Sequence, residues 1–138
     1  MKTYRTSISI HAEPAAIWAI LTDAERYPEW NNTVERVEGT IAPGERIEVH
    51  AKISPGRAFP VKVSTFEPSA RMVWSSGMPL GLFKGERTFS LERKGEQVEF
   101  TMQEVFSGPF SPMIERSIPD LQPAFDEFAA DLKRRAEA

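Results

Sequence analysis

Between residues 34 and 107, apolar side chains recur at every second position, and this alternation limits the possible fold more than any other feature. Such a period of two is typical of a β-strand with one buried and one solvated face. Turns rich in Gly, Pro and Ser separate the alternating segments. These strands would form an antiparallel meander whose apolar face another element must cover. The pattern predicts strands around 46–53 and over 59–67, 70–76, 82–93 and 96–107.

The segment ahead of the meander contains a strand and two short helices. Every second residue from Tyr4 to Ile10 is apolar or threonine, which predicts a first strand. Pro14 suits the first turn of a helix. Asp23 is predicted to cap a second short helix that carries Tyr27. We expect His11 to help the cap at the junction between strand and helix.

The C-terminal segment has the period of a helix. Pro119 and Pro123 lie inside its apolar stripe, and each removes a hydrogen bond from a helix interior. Because the stripe keeps its phase through both prolines, we predict one long, bent helix, whose bend shapes an entrance between helix and sheet. The stripe consists of Ile114, Ile118, Leu121, Phe125, Phe128 and Leu132.

Length and composition narrow the class of protein. The 138 residues fit one domain over 1–138. A net charge of −3 gives no electrostatic reason to bind nucleic acid or an anionic membrane. The chain has no cysteine, which excludes disulfides and zinc sites made of thiolates. No apolar run approaches the about 20 residues of a membrane span or forms a signal peptide, so we expect no stable membrane insertion and a cytoplasmic location.

Short turns would fix which strand residues pair. We predict a two-residue turn at Lys94-Gly95, another at Pro68-Ser69, and a longer loop after residue 53. In all three hairpins the apolar residues then share one face, which supports the register. The predicted pairs are Arg93–Glu96, Leu91–Val98, Phe89–Phe100, Arg87–Met102, Thr65–Met72, Val63–Trp74, Ile53–Phe59, Ala51–Val61 and Val49–Val63.

Two charged residues break the apolar pattern of this face. Arg87 and Glu104 have the parity of their apolar neighbours, and the predicted register makes them diagonal neighbours. An unpaired charge in an apolar interior is very costly, whereas a paired one is tolerated. We therefore predict an Arg87–Glu104 contact on the concave face of the sheet. The alternative is a β-bulge, at Gly85 or near Glu104, that turns one of them outward.

Five segments of the chain together match the sequence pattern of a known family: 10–18, 21–23, 27–31, 44–47 and 104–108. The most specific part of this pattern is the spacing of Trp18, Asp23, Trp30 and Asn31. The chain resembles the START-like, or birch-pollen-allergen-like, superfamily, and within it the polyketide cyclase/dehydrase and lipid-transport group often labelled SRPBCC. The resemblance implies an α+β helix-grip fold. In this fold a curved antiparallel sheet of six to seven strands wraps around a long C-terminal helix, and two short helices follow the first strand.

The family resemblance does not select one function, because one fold hosts many functions. Its members include carriers of hydrophobic ligands, aromatase/cyclases, hydroxynitrile- and alkaloid-type enzymes, and chaperone activators. A twisted sheet crossed by a helix leaves space between them, and apolar pockets of this kind are the usual ligand sites. We therefore expect the protein to bind a small hydrophobic ligand, lipid-like or aromatic, as a monomer or a homodimer, and no nucleic acid.

The predicted ligand-binding residues come from the concave face, the terminal helix and the pocket rim. Arg87 and Glu104 would orient a polar group of the ligand. Trp74 fits either the pocket wall or the core, Trp30 fits either the rim or the core, and Trp18 is expected in the core. The full set is Trp30, Val49, Ala51, Val61, Val63, Trp74, Arg87, Phe89, Phe100, Met102, Glu104, Leu121 and Phe125.

Glu104 is also the candidate catalytic residue. In a dry pocket it could act as general acid or base of a cyclase or dehydratase, with Arg87 fixing its position. The alternatives for Glu104 are a structural ion pair or an anchor for a ligand hydroxyl or amine. A protein-interaction module remains a third possible function. His11 and His50 have no metal-ligand spacing and His50 is expected on a solvated face, so we expect neither a metal nor a cofactor.

Overall fold

A computed structural model describes residues 2–138, which form strands, α-helices and short 3-10 turns. The 3-10 turns cover Ala24–Arg26 and Pro79–Gly81. The helices are α1 (Pro14–Leu21), α2 (Tyr27–Trp30), α3 (Ser111–Glu115) and α4 (Gln122–Glu137). The strands are β1 (Lys2–Ile10), β2 (Val34–Glu38), β3 (Arg46–Ala51), β4 (Phe59–Glu67), β5 (Arg71–Gly77), β6 (Lys84–Lys94) and β7 (Gln97–Ser107).

The strands form one antiparallel sheet in the order β1-β7-β6-β5-β4-β3-β2. Sequential strands from β2 to β7 are neighbours, as the alternation predicted, and β1 adds to the free edge of β7. The short helices α1 and α2 lead from one edge of the sheet to the other. Helix α4 packs mainly against β1 and α1. The predicted α+β architecture, a curved sheet with a C-terminal helix and two short helices after the first strand, is confirmed.

The core is centred on Phe128 of α4, whose side chain is almost completely buried. The Phe100 ring stacks on it at 6.2 Å between centroids, and the Trp30 ring meets it edge-on at 5.6 Å. The rings of Tyr27 and Phe89 lie 6.3 and 6.0 Å away. Aromatic residues from α2, β6 and β7 thus fix α4 on one half of the sheet. Trp18 is also buried, as predicted, with its ring edge-on to a neighbouring phenylalanine.

The prediction of one bent C-terminal helix is wrong. Helix α3 ends at Glu115 and α4 begins at Gln122, with Pro119 in the non-helical connection between them. A proline disfavours the helical conformation of the residue before it, which prevents a continuous helix here. Pro123 instead occupies the first turn of α4, where its missing N–H costs nothing. The apolar stripe keeps its phase because both segments face the same side of the sheet.

Near the N-terminus, two predicted capping roles are also wrong. Asp23 precedes the first 3-10 turn but makes no capping bond, and its carboxylate instead lies 3.3 Å from Arg26. The backbone N–H of His11 donates to the Glu137 carboxylate at 2.8 Å. His11 therefore ties the end of β1 to α4 rather than capping α1.

The turn between β6 and β7 differs from the prediction by one position. Lys94 pairs with Gln97, so the two-residue turn is Gly95-Glu96. Gly95 has a φ of +66°, which glycine adopts readily at the first position of such a turn. Each predicted partner on β7 consequently moves by two residues, which leaves every side chain on its predicted face. The observed pairs are Leu91–Phe100, Phe89–Met102 and Arg87–Glu104.

The other two hairpins also differ from the predicted residue pairing. Val63 pairs with Trp74 as predicted, but a register shift near Ser64 then pairs Thr65 with Val73. This bulge turns Phe66 inward, where its ring meets Trp18 edge-on at 5.2 Å. The loop after β3 is longer than predicted because β3 ends at Ala51. The predicted pairs Ile53–Phe59, Ala51–Val61 and Val49–Val63 therefore do not form. The structure instead pairs Ile47 with Val61 and Val49 with Phe59.

Glu137 provides the first testable prediction. Its carboxylate accepts hydrogen bonds from the His11 N–H and from Lys133 Nζ, and these lower the pKa of Glu137 below its ordinary value of 4.5. A lowered pKa in the folded state stabilises the protein above about pH 4.5, and this contribution is lost as the pH falls through the folded-state pKa.

We therefore expect Glu137→Gln to flatten the acid limb of the stability curve. Wild type should lose more unfolding free energy than the variant between about pH 6 and about pH 3, measured by urea denaturation. Glu127→Gln is the matched control, since Glu127 is an exposed carboxylate on the same helix. Identical acid limbs for wild type and Glu137→Gln would contradict the assignment.

Candidate ligand-binding cavity

A cavity of about 430 Å³ lies between the concave face of the sheet and the segment that runs from α3 into α4. Its volume falls within the range of about 300–1,000 Å³ typical of small-molecule sites. Most of its walls are aliphatic or aromatic side chains from β3 to β7 and from the C-terminal helices. The sheet and the C-terminal segment therefore do not fill the space that they enclose.

Several of the side chains selected from the sequence lie on the wall of this cavity. They come from β3, β4, β5, β6, β7 and the start of α4. Their position is a fact of the structure, whereas their contact with a ligand remains a prediction. These residues are Val49, Ala51, Val61, Trp74, Arg87, Met102, Glu104, Leu121 and Phe125.

The other selected residues, Trp30, Val63, Phe89 and Phe100, lie in the solid core instead. Val63, Phe89 and Phe100 have no exposed surface, and Trp30 is 6% exposed. Three of the four pack around Phe128, because α4 touches the sheet directly on this half. The structure thus places Trp30 in the core rather than at the rim.

Sequence reasoning missed lining residues of two kinds. The first kind comes from loops, where no hydrophobic periodicity shows which side chains face the cavity. These residues are Ile53, Ser54 and Arg57 in the loop after β3, and Ser117 and Pro119 between α3 and α4. The second kind could have been found from strand parity or from the apolar stripe. Phe83 and Phe106 have the parity of Arg87 and Glu104, and Ile114, Ile118 and Phe128 belong to the stripe. The remaining ones are Thr33, Val34, Phe59, Gly85 and Ala124. Ser76 also lines the cavity, and its strand parity had placed it on the concave face.

Arg87 and Glu104 form an ion pair on the cavity wall. Arg87 Nε donates to Glu104 Oε1 at 2.6 Å, and the side chains are 23% and 14% exposed. The two residues oppose each other directly, closer than the diagonal arrangement predicted, and β6 and β7 pair without a register shift. The predicted contact is confirmed and the bulge alternative is wrong. The guanidinium carbon lies 4.8 Å from the centre of the Phe125 ring, so α4 covers the pair.

The positive charge of Arg87 also reaches the buried Tyr27. The Tyr27 hydroxyl donates to the Leu21 carbonyl at 2.6 Å. Burial raises the pKa of Tyr27 far above its ordinary value of 10.0, while the charge of Arg87 acts in the opposite direction. Tyr27 is therefore a structural hydrogen-bond donor.

A second cluster of titratable groups lies on β2 and β3, outside the cavity. Oxygen and nitrogen atoms of Glu38, Glu48 and His50 approach within 4.8 Å of one another. Arg36 Nε donates to Glu38 at 2.7 Å, and this bond lowers the pKa of Glu38 against the opposing effect of desolvation. His50 is only 13% exposed, so the expectation that it is solvated is wrong. Glu38 is already bound by Arg36 and lies 3.1 Å from His50 Nε2, and we assign no metal to this cluster.

Comparison with known proteins agrees with the fold. Residues 1–137 match the family model for polyketide cyclase / dehydrase and lipid transport. The chain belongs to this family. The resemblance seen in the sequence is therefore confirmed, and membership supports ligand binding or polyketide-cyclase-type chemistry without specifying the ligand. The chain has no match among curated proteins.

Solved structures related to this family member include three of similar length. Protein jhp0584 from Helicobacter pylori superposes with a TM-score of 0.78 at 14% identity, over 98% of this chain and 88% of that one. A START superfamily protein from Mycobacterium smegmatis gives 0.70 at 18% identity, over 98% and 97%. The Aha1 dimer from Colwellia psychrerythraea gives 0.73 at 21% identity, over 99% and 97%. At such identities the similarity shows the fold alone.

Within residues 2–138, no helix is long and apolar enough to cross a membrane.

The ion pair can be tested by a double-mutant cycle. Arg87→Met and Glu104→Gln should each destabilise the protein, and the coupling between them should be about 1–2 kcal/mol, because the pair is largely shielded from water. Urea denaturation of wild type, both single variants and the double variant measures this coupling.

The matched control for this cycle is Lys84→Met with Glu86→Gln. These residues form an exposed pair on the same strand, 3.4 Å apart, and should couple by less than about 0.5 kcal/mol. A coupling at Arg87–Glu104 no larger than that of the control would show that the pair is as solvated as a surface pair.

Proposed function

We propose that the protein binds a small hydrophobic molecule, lipid-like or aromatic, in the cavity. The observation that carries this proposal is the unfilled space of about 430 Å³ between apolar walls. Cavities empty of packing partners forfeit stability, since the surrounding side chains lose contacts that a filled core would provide. A ligand with an apolar body would restore those contacts and remove its own surface from water.

The proposed entrance lies between the loop after β3 and the connection between α3 and α4. Ile53 lines the cavity and is 42% exposed. Arg57, Ser117 and Pro119 also line the cavity and are exposed. Both segments are loops, which move more readily than strands or helices. Pro119 is thus proposed to shape the entrance by ending a helix rather than by bending one.

Filling the cavity should abolish binding. Ala124 lines the cavity from the first turns of α4, and Ala124→Phe would place a ring in the ligand space. We expect the affinity for the neutral fluorescent probe N-phenyl-1-naphthylamine to fall at least about tenfold, or about 1.4 kcal/mol.

Ala130→Phe is the matched control, because Ala130 is exposed on the same helix. It should bind the probe as wild type does. Equal affinities for wild type and Ala124→Phe, with both folded, would locate the bound probe outside the cavity. Native mass spectrometry of protein purified from its own host should also detect a bound small molecule in wild type and less of it in Ala124→Phe.

Catalysis of the cyclase or dehydratase type is the second candidate, and the position of Glu104 favours it. Among the described residues, Glu104 is the only carboxylate on the cavity wall, and Arg87 fixes its orientation. A carboxylate held beside a bound poly-β-ketone could transfer a proton in an aldol condensation or a dehydration. The family description includes cyclases and dehydrases, so the chemistry is available to the fold.

Glu104→Gln separates the two candidates. If the protein is a carrier, the variant should retain its affinity for N-phenyl-1-naphthylamine within about threefold, and wild type should not convert a soluble poly-β-ketone. If it is an enzyme, wild type should form the cyclised product at least about 100-fold faster than the variant, since a positioned acid or base contributes about 10²–10⁴-fold. Absorption of the aromatic product measures this rate.

A further inference from the structure

We infer that the ligand is an organic anion, an apolar molecule whose carboxylate binds the guanidinium of Arg87. This inference rests on the proposed function, because it concerns the same cavity and specifies the chemical class of its ligand. Two features of the cavity wall carry it: unused donors on Arg87 and an excess of positive charge.

Arg87 has hydrogen-bond donors that no residue between 2 and 138 accepts. Its Nε binds Glu104, while the two Nη nitrogens have no acceptor in the described chain. The Phe125 ring, 4.8 Å from the guanidinium carbon, limits how the group can turn. A guanidinium fixed in this way presents a planar fork of N–H groups, which matches the two oxygens of a carboxylate.

Trp74 forms an aromatic wall beside Arg87. The two residues are direct partners across β5 and β6, and both line the cavity. The Trp74 side chain is almost completely buried and its indole Nε1 has no accessible surface, so the residue offers the ligand a ring rather than a hydrogen bond. The free hydrogen-bonding groups on this part of the wall are therefore the Nη donors of Arg87, which favour a ligand that brings oxygen acceptors.

The charges of the cavity favour an anion over a neutral acceptor. Arg57, Arg87 and Glu104 are the charged side chains that line it, and they leave an excess of one positive charge. The chain as a whole carries a net charge of −3, so the cavity has the opposite sign to the protein. Arg57 lies at the exposed rim, with its guanidinium 5.5 Å from the Phe59 ring. A carboxylate would neutralise the excess, whereas an ammonium group would add to it.

Matched ligands with one tail and different polar ends test the inference. Octanoate, 1-octanol and octylamine share an aliphatic tail, while 2-naphthoate, 2-naphthol and 2-naphthylmethylamine share an aromatic one. Isothermal titration at neutral pH should show that the acid of at least one series binds at least about tenfold more tightly than its alcohol, and that the amine binds most weakly.

Variants then identify the residue responsible. The pair Arg87→Met with Glu104→Gln removes both charges without leaving either one unpaired. It should reduce the preference for acid over alcohol to within about threefold. Lys84→Met with Glu86→Gln makes the same change of charge on the outside of β6 and should leave the preference intact.

The outcomes separate this inference from the function on which it rests. Equal binding of acid and alcohol by wild type overturns the anion inference and leaves the cavity as a ligand site. Binding of neither series, together with no binding of N-phenyl-1-naphthylamine, overturns both. An acid preference that survives in folded Arg87→Met/Glu104→Gln protein removes Arg87 from the site. The comparison within wild type decides the ligand class even if a variant does not fold.

Discussion

The structure depends on where α4 touches the sheet. Phe128 makes that contact, with the rings of Tyr27, Trp30, Phe89 and Phe100 around it. These contacts hold the helix close to one half of the concave face. The chain ahead of α4 cannot extend the same close contact, because a proline in the connection interrupts the helix. The cavity therefore lies under the first turns of α4 and the connection from α3, and Phe128 borders both the core and the cavity.

The ion pair on the cavity wall follows from the same helix. Phe125 lies about one turn before Phe128, and its ring covers the Arg87 guanidinium. Without Glu104 directly opposite, a guanidinium in this position would carry an uncompensated charge in a largely apolar space. A well-packed apolar pair would stabilise a core at least as well as an ion pair does. Its presence on the wall of an open cavity supports the ligand recognition that we propose.

The sequence predicted the faces of the strands better than the pairs between them. The side-chain period of two survives any even shift of register, so Arg87 and Glu104 faced inward although their predicted partners were off by two residues. The direct pairing of Arg87 with Glu104 depends on which residue begins the turn between β6 and β7. Gly95 begins it, because glycine readily adopts the positive φ that the first turn position requires. The bulge near Ser64 turns Phe66 inward, and the alternating pattern of the sequence did not predict it. Loop residues such as Arg57 were missed because a loop has no period from which to read a side.

The hydrophobic pattern alone could not show which inward-facing residues lie in the core and which line the cavity. Phe89 and Trp74 are aromatic residues of adjacent strands with the same inward parity, yet one is sealed against Phe128 and the other lines the cavity. Phe89 packs on Phe128 of α4, and strand parity cannot reveal this contact between segments far apart in the chain. Polar groups offer the sequence-level signal that apolar periodicity lacks. Arg87 and Glu104 face each other across β6 and β7 with the parity of their apolar neighbours. A face that only packs against a helix has no need of two charged side chains, whereas the ligand site that we propose would use them.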